Sequence, residues 1–193
     1  MKYKAMALFG SASANINPKY DNLVFKMGQM LAENNIKLIY GVGDTGLMGK
    51  AYQGVRSKNG KVLGVTIPSL LKKQCKDPSI YGPGELLVVD SLEERKRIMI
   101  NDADAILIAP GGWGTLDEIG TIGVRFKLRE YQVKPIIFLN YFGFWNCMQD
   151  FVARAYQERT LPPLQEAFTA FVDKPEDIFD AVDRVYKRLH DFS

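Results

Sequence analysis

Apolar and polar positions along the chain follow two alternating rhythms. Short runs rich in β-branched and aromatic residues predict strands at Lys4 to Phe9, Lys37 to Tyr40, Val62 to Ile67, Leu86 to Val89, Ala105 to Ala109, Ile136 to Leu139 and Phe168 to Val172. Between them, longer stretches with apolar residues three and four apart predict helices at Pro18 to Asn34, Leu47 to Lys58, Ser91 to Asp102, Thr115 to Leu128, Phe144 to Gln157 and Pro175 to His190. Strands that alternate with helices predict an α/β fold: a single Rossmann-like domain, a doubly wound parallel sheet with helices on both faces. No repeat, low-complexity tract or linker breaks the pattern. The longest irregular stretch, Pro68 to Gly84, holds three prolines and two glycines. It is either a lid that closes over substrate or a passive surface crossover.

Composition narrows this picture. At 193 residues and 47% hydrophobic content the chain can bury the core of one domain without needing a second. The net charge of +3, from 25 basic and 22 acidic side chains mixed along the chain, predicts no broad surface for nucleic acid or membrane, so an anion site must be local. Met1-Lys2-Tyr3-Lys4 runs into a strand pattern rather than the apolar stretch of a signal peptide, and no segment approaches the roughly 20 apolar residues of a membrane span. Cys75 and Cys147 lie far apart with only His190 to join them, so neither a zinc site nor a disulfide framework is expected, and a reducing cytoplasmic compartment fits. His190 is expected as a helix-end cation. The aromatic cluster Tyr141-Phe142-Gly143-Phe144-Trp145 points to core or subunit packing ahead of base stacking.

In an open parallel sheet, ligands bind beyond the carboxyl ends of the strands, where the strand order changes. Each glycine-marked loop here follows a strand: Gly10-Ser11-Ala12-Ser13 the first, Gly41-Val42-Gly43-Asp44-Thr45-Gly46 the second, Pro110 to Thr115 the fifth. All three therefore face one edge and suggest close backbone approach to one ligand. The second loop spells G-x-G-x-x-G, but a dinucleotide site also wants an acidic residue about 20 positions later to bind a ribose hydroxyl. No Asp or Glu stands between Asp44 and Asp77. That weakens NAD and leaves NADP through Arg56 or Lys58 as an alternative.

The Pro110 loop is more specific. Gly111, Gly112 and Gly114 clear its backbone of side chains and Thr115 adds a hydroxyl where a helix begins, a natural phosphate cradle, although a tight turn with no ligand has the same sequence. Thr115-Leu116-Asp117-Glu118 also spells a capping box, which would fold Glu118 back onto the N-cap amide. The functional alternative keeps Glu118 ionised through the helix dipole, beside a reacting sugar, with Asp117 as its competitor. In the preceding helix Leu92, Ile98 and Met99 are the apolar positions, and the spacing places Arg95 or Lys96 on their stripe. An inward cation implies an anion from protein or ligand; otherwise it is a snorkelling stem assisted by a Glu93 to Arg97 pair.

Glu94-Arg95-Lys96-x-x-Met99, an Asp104-Ala105 strand and Pro110-Gly111-Gly112-x-Gly114-Thr115-x-x-Glu118 together resemble the paired signature of the Lonely Guy phosphoribohydrolases, also labelled lysine decarboxylase-like. Gly10-Ser11, Gly46-Leu47-Met48-Gly49 and Lys134-Pro135 are similar to the family's other landmarks, over about residues 5 to 185. The resemblance implies a homodimer or higher oligomer that hydrolyses the N-glycosidic bond of a nucleoside 5′-monophosphate, a cytokinin nucleotide or AMP, with no metal or cofactor. Carried over, Arg95 and Glu118 are the catalytic pair. Gly10, Ser11, Gly43, Gly46, Met48, Lys96, Gly111, Gly112, Gly114, Thr115 and Asp117 bind substrate. Three departures stand out: Glu93 where the family often has histidine, Val42 for the middle glycine of a usual triple, and Arg125, Lys127, Arg129 and Glu130 in a run that is usually more apolar. A carrier of a nucleotide or of molybdenum cofactor, which similar folds hold without hydrolysis, is the alternative from another class. Retention of both Arg95 and Glu118 favours the enzyme.

Overall fold

A computed structural model describes residues 3–161 and 167–191. Seven strands, β1 (Ala5–Phe9), β2 (Lys37–Tyr40), β3 (Val62–Thr66), β4 (Leu86–Val88), β5 (Ala105–Ile108), β6 (Ile136–Leu139) and β7 (Thr169–Val172), form one sheet in the order β4-β3-β2-β1-β5-β6-β7. Every pair is parallel, in registers such as Met6 with Leu38 on one side and with Ala105 on the other. Parallel strands need long crossovers, and helices supply them: α1 (Asp21–Glu33), α2 (Gly46–Arg56), α3 (Pro68–Gln74), α4 (Leu92–Asn101), α5 (Trp113–Lys127), α6 (Asn146–Gln157) and α7 (Ile178–His190).

This is the doubly wound α/β architecture that the alternating pattern predicts. β1, β5 and β6 are buried at every position, which is why they read as unbroken apolar runs rather than alternating ones. The strand order reverses between β1 and β5, and the loops that leave these strands are tied together where Ser11 N–H donates to the Pro110 carbonyl at 3.0 Å. A topological switch point thus lies at the edge where the glycine loops emerge.

The 68–84 stretch is not irregular throughout. Pro68 occupies the first position of α3, where its fixed φ helps and its missing N–H costs nothing, and a single 3-10 turn follows at Pro78–Ile80. The aromatic cluster after β6 divides: Tyr141 and Trp145 are core, while Phe142 and Phe144 stay exposed beside Tyr20. His190 is the last residue of α7, with Lys187 and Arg188 in the same turn. Cys75 and Cys147 are both free thiols. Among the described residues no helix is long and apolar enough to cross a membrane, and no group of three His, Cys, Asp or Glu is placed to hold a metal ion.

Candidate active site

The inward face of α4 carries Lys96, Met99 and Ile100, with Arg95 alongside them, so both cations of the stripe turn toward the sheet. Leu92, an apolar position of the stripe by its spacing, is half exposed. Arg95 Nε donates to the Val65 carbonyl at 3.0 Å and its Nη1 lies 3.5 Å from Glu118 Oε1; only 12% and 13% of the two side chains is exposed. The guanidinium rests on Gly41, directly after β2, where any side chain would collide with it. The Gly41 loop was legible as facing the ligand edge, but the contacts of Gly41 and Val65 with Arg95 were not, because they join separate strands and a helix.

Glu118 does not make the capping box. The α5 helix starts two residues before Thr115, at Trp113, with Gly112 as N-cap, so Thr115 is already helical and Glu118 falls in the second turn. Its side chain goes to Arg95 instead. The dipole does not hold it in the usual carboxylate range: burial pushes the Glu118 carboxyl up to about 7, and the attraction of Arg95 offsets only part of that. Burial likewise draws the Arg95 guanidinium down, against the pull of Glu118. The first turn of α5 has neither a side-chain cap nor an acidic residue, which leaves its N–H groups and dipole available to an anion.

Lys96 sits beside this pair, 3.1 Å from Asp117 Oδ2, 3.0 Å from Thr121 Oγ1 and 3.4 Å from Glu93 Oε2. Burial would lower the ammonium, but the Asp117 hydrogen bond and charge, with Glu93, leave it raised. The expected Glu93 to Arg97 pair is absent: Glu93 faces Lys96 and Arg125, and Arg97 is 3.7 Å from Glu94. Arg56 and Lys58, the cations of an NADP alternative, are held by Glu85 and Glu33 at the far end of α2.

These groups meet in a cavity of about 380 Å³ at the switch point. Arg95, Lys96, Asp117 and Glu118 line it together with Gly112, Gly114 and Thr115, and Gly10, Ser11 and Met48 close the side under β1 and α2. Gly43, Gly46 and Gly111 do not face it. They shape the backbone around it: a Cβ on Gly46, at φ +59°, would come within 2.6 Å of the Ala12 carbonyl carbon, and one on Gly111 would strike Thr115. Leu70 and Gln74 of α3 form a further wall; they come from the 68–84 stretch offered as a lid or a passive crossover, although neither residue was singled out by sequence. Val42, also in the lining, is buried at φ +67°, a conformation that strains a β-branched residue and that the glycine it replaces would adopt freely.

Comparison with known proteins adds three findings. A family model described as "Possible lysine decarboxylase" matches residues 48–182. The chain is 32% identical to the cytokinin riboside 5′-monophosphate phosphoribohydrolase LOG7 of Arabidopsis thaliana, across 84% of this chain and 73% of that protein, and 31% identical to LOG1 of the same plant across 84% and 74%. Among solved structures, the molybdenum cofactor carrier protein of Chlamydomonas reinhardtii superposes with a TM-score of 0.68 over 96% of this chain and 99% of that one, at 17% identity, a likeness of fold.

Proposed function

The chain belongs to the Lonely Guy family of phosphoribohydrolases, whose family model bears the lysine decarboxylase label, and on that footing we propose that it hydrolyses the N-glycosidic bond of a nucleoside 5′-monophosphate, AMP or a cytokinin nucleotide, to free base and ribose 5-phosphate. The observation that carries this is the buried, loosely joined Arg95 and Glu118 pair in the same cavity as the uncapped N-terminus of α5.

The phosphate takes the N–H groups of the Gly112 to Thr115 turn, with Gly111 making room for Thr115. Held there, the sugar presents its anomeric carbon to Glu118. As the bond from carbon to base nitrogen breaks, positive charge grows on the sugar, and the Glu118 carboxylate stabilises it more than it stabilises the neutral ground state. Water then forms the new carbon–oxygen bond. With its pKa near 7, Glu118 can accept the proton that this water loses, and the base nitrogen, which leaves with the bonding pair, takes up one proton, so that the two hydrogens of water end on the sugar hydroxyl and on the free base. Arg95 holds the carboxylate in place and balances its charge. Lys96 and Asp117 form the rim, and Gly10, Ser11 and Met48 form the floor. The decarboxylase label fits less well, because a pyridoxal aldehyde needs a free amine and Lys96 is held by Asp117, Glu93 and Thr121.

The protein works as a homodimer or higher oligomer. Trp113, Leu116, Val124 and Leu128 are exposed along α5, spaced as one helix face, and an apolar stripe of this kind is covered by another subunit.

Incubation with AMP, other nucleoside monophosphates and N6-prenylated AMP tests the reaction. Free base should appear only from 5′-phosphorylated substrates. Equal activity on unphosphorylated nucleosides would remove the phosphate cradle, and tight binding without turnover across the panel would make the protein a carrier.

A further inference from the structure

We propose that Gln74, on α3, reads the hydrogen-bonding edge of the substrate's base, and that its amide suits the adjacent donor and acceptor of an adenine. This rests on the nucleotide reading of the cavity and extends it to a residue that no part of the family signature contains.

The sheet order fixes the direction in which a nucleotide must lie. The phosphate turn follows β5, while α3 follows β3, three strand spacings away across β1 and β2, or about 14 Å. That separation is comparable to the length of a nucleoside monophosphate. Between the two ends sits the Arg95 and Glu118 pair, with Arg95 bonded to Val65 in β3 and resting on Gly41 after β2. With the phosphate on α5 and the anomeric carbon at Glu118, the base extends to the wall made by Leu70 and Gln74.

Gln74 is built into that wall. Its backbone carbonyl accepts from Asp44 N–H at 2.9 Å, and Asp44 in turn accepts from Lys76 N–H at 3.1 Å, so the end of α3 is fixed to the β2 loop. Gln74 lines the cavity, and its side-chain amide has no hydrogen-bond partner among the described residues. An amide offers one acceptor oxygen and two donor hydrogens on neighbouring atoms, which pair in register with the amino group and ring nitrogen of adenine. Leu70, Leu92 and Met48 supply apolar surface near it for the faces of the ring.

Affinities of AMP, GMP and ribose 5-phosphate, measured by calorimetry in a Glu118→Gln background so that nucleotide is not consumed, test the assignment. Gln74→Leu should weaken AMP about tenfold or more and leave ribose 5-phosphate, which has no base, unchanged. Gln74→Glu presents acceptors only and should raise the affinity for GMP relative to AMP, because guanine offers two adjacent donors. Parallel loss of AMP and ribose 5-phosphate would show a merely structural role and overturn the proposal, as would unchanged AMP affinity in both variants. Failure of the hydrolysis reading looks different: the wild-type protein would release no base, yet the dependence of AMP binding on Gln74 would remain.

Discussion

A cation is tucked against each end of the α4 helix, Arg95 from the helix itself and Lys134 from the segment before β6, and the two are held very differently. At its carboxyl end Lys134, 5% exposed, donates to the carbonyls of Ile100 at 2.8 Å, Asn101 at 3.3 Å and Ala103, capping the helix where the chain turns into β5. All three of its donors are used. Toward the amino end Arg95, with more donors, has one carbonyl at 3.0 Å and a carboxylate at 3.5 Å. Both cations are drawn down by burial, so burial does not distinguish them. Satisfaction does. A fully bonded cation at the sheet edge away from the loops is a structural cap, whereas an under-bonded one beside a cavity leaves hydrogen-bonding capacity for a ligand.

The sharpest way to break this comparison is to delete each cation in turn. Arg95→Ala and Glu118→Gln should each lower the rate of base release by about 10²- to 10³-fold, the usual cost of removing a group that acts on transition-state charge, in proteins that still melt cooperatively. Lys134→Met should do the opposite: about 2 to 4 kcal/mol less stability by denaturant unfolding, because the buried carbonyls of Ile100 and Ala103, and the partly buried one of Asn101, lose their donor, with turnover per folded molecule nearly unchanged. A large activity loss in folded Lys134→Met would erase the distinction.

Proton titration sharpens it next. The Glu118 carboxyl has a pKa of about 7 in the folded protein and 4.5 as its ordinary value, so the folded state binds the extra proton between these limits. Stability is therefore lost as pH rises from 4.5 through 7, by on the order of 3 kcal/mol at 1.36 kcal/mol per unit. Glu118→Gln cannot titrate and should lack this slope, which melting temperatures across the window will reveal. If the carboxylate is the active form, wild-type kcat/KM should climb through the same range and level off above about 7. A flat profile from pH 5 to 8 would remove Glu118 from that role.

Much of this was legible along the chain, for physical reasons that can be named. The positions of β1, β5 and β6 followed from apolar runs buried on both faces, and α4 showed its cations because a charge on an apolar stripe breaks the helical pattern. What misled was local chemistry with two meanings. Thr115 to Glu118 spells a cap, yet Gly112 starts the helix earlier and hands Glu118 to Arg95. Pro68 punctuates a loop equally well or opens a helix. The Gly41 loop and the 68–84 stretch were marked as segments, but the individual roles of Gly41, Val65 and Gln74 left no signal, because their place in the site comes from β2, β3 and α3 lying side by side, which is set by sheet order and not by neighbours in sequence.

The smallest expected effect falls at Lys96, which lies between the two extremes. It is nearly as buried as Lys134, but its partners are Asp117, Glu93 and Thr121, and the Asp117 side chain is 64% exposed. An ion pair with one partner in solvent gains little Coulomb energy, and two other acceptors remain when Asp117 is changed. Asp117→Asn should therefore alter unfolding free energy by less than about 1 kcal/mol, and added salt should shrink the difference further. Its effect on AMP turnover should stay far below that of Glu118→Gln, since Asp117 holds a rim cation while Glu118 faces the reacting carbon. A loss in Asp117→Asn equal to that in Glu118→Gln would exchange the roles of these neighbouring acids and move the catalytic carboxylate one residue toward the start of α5.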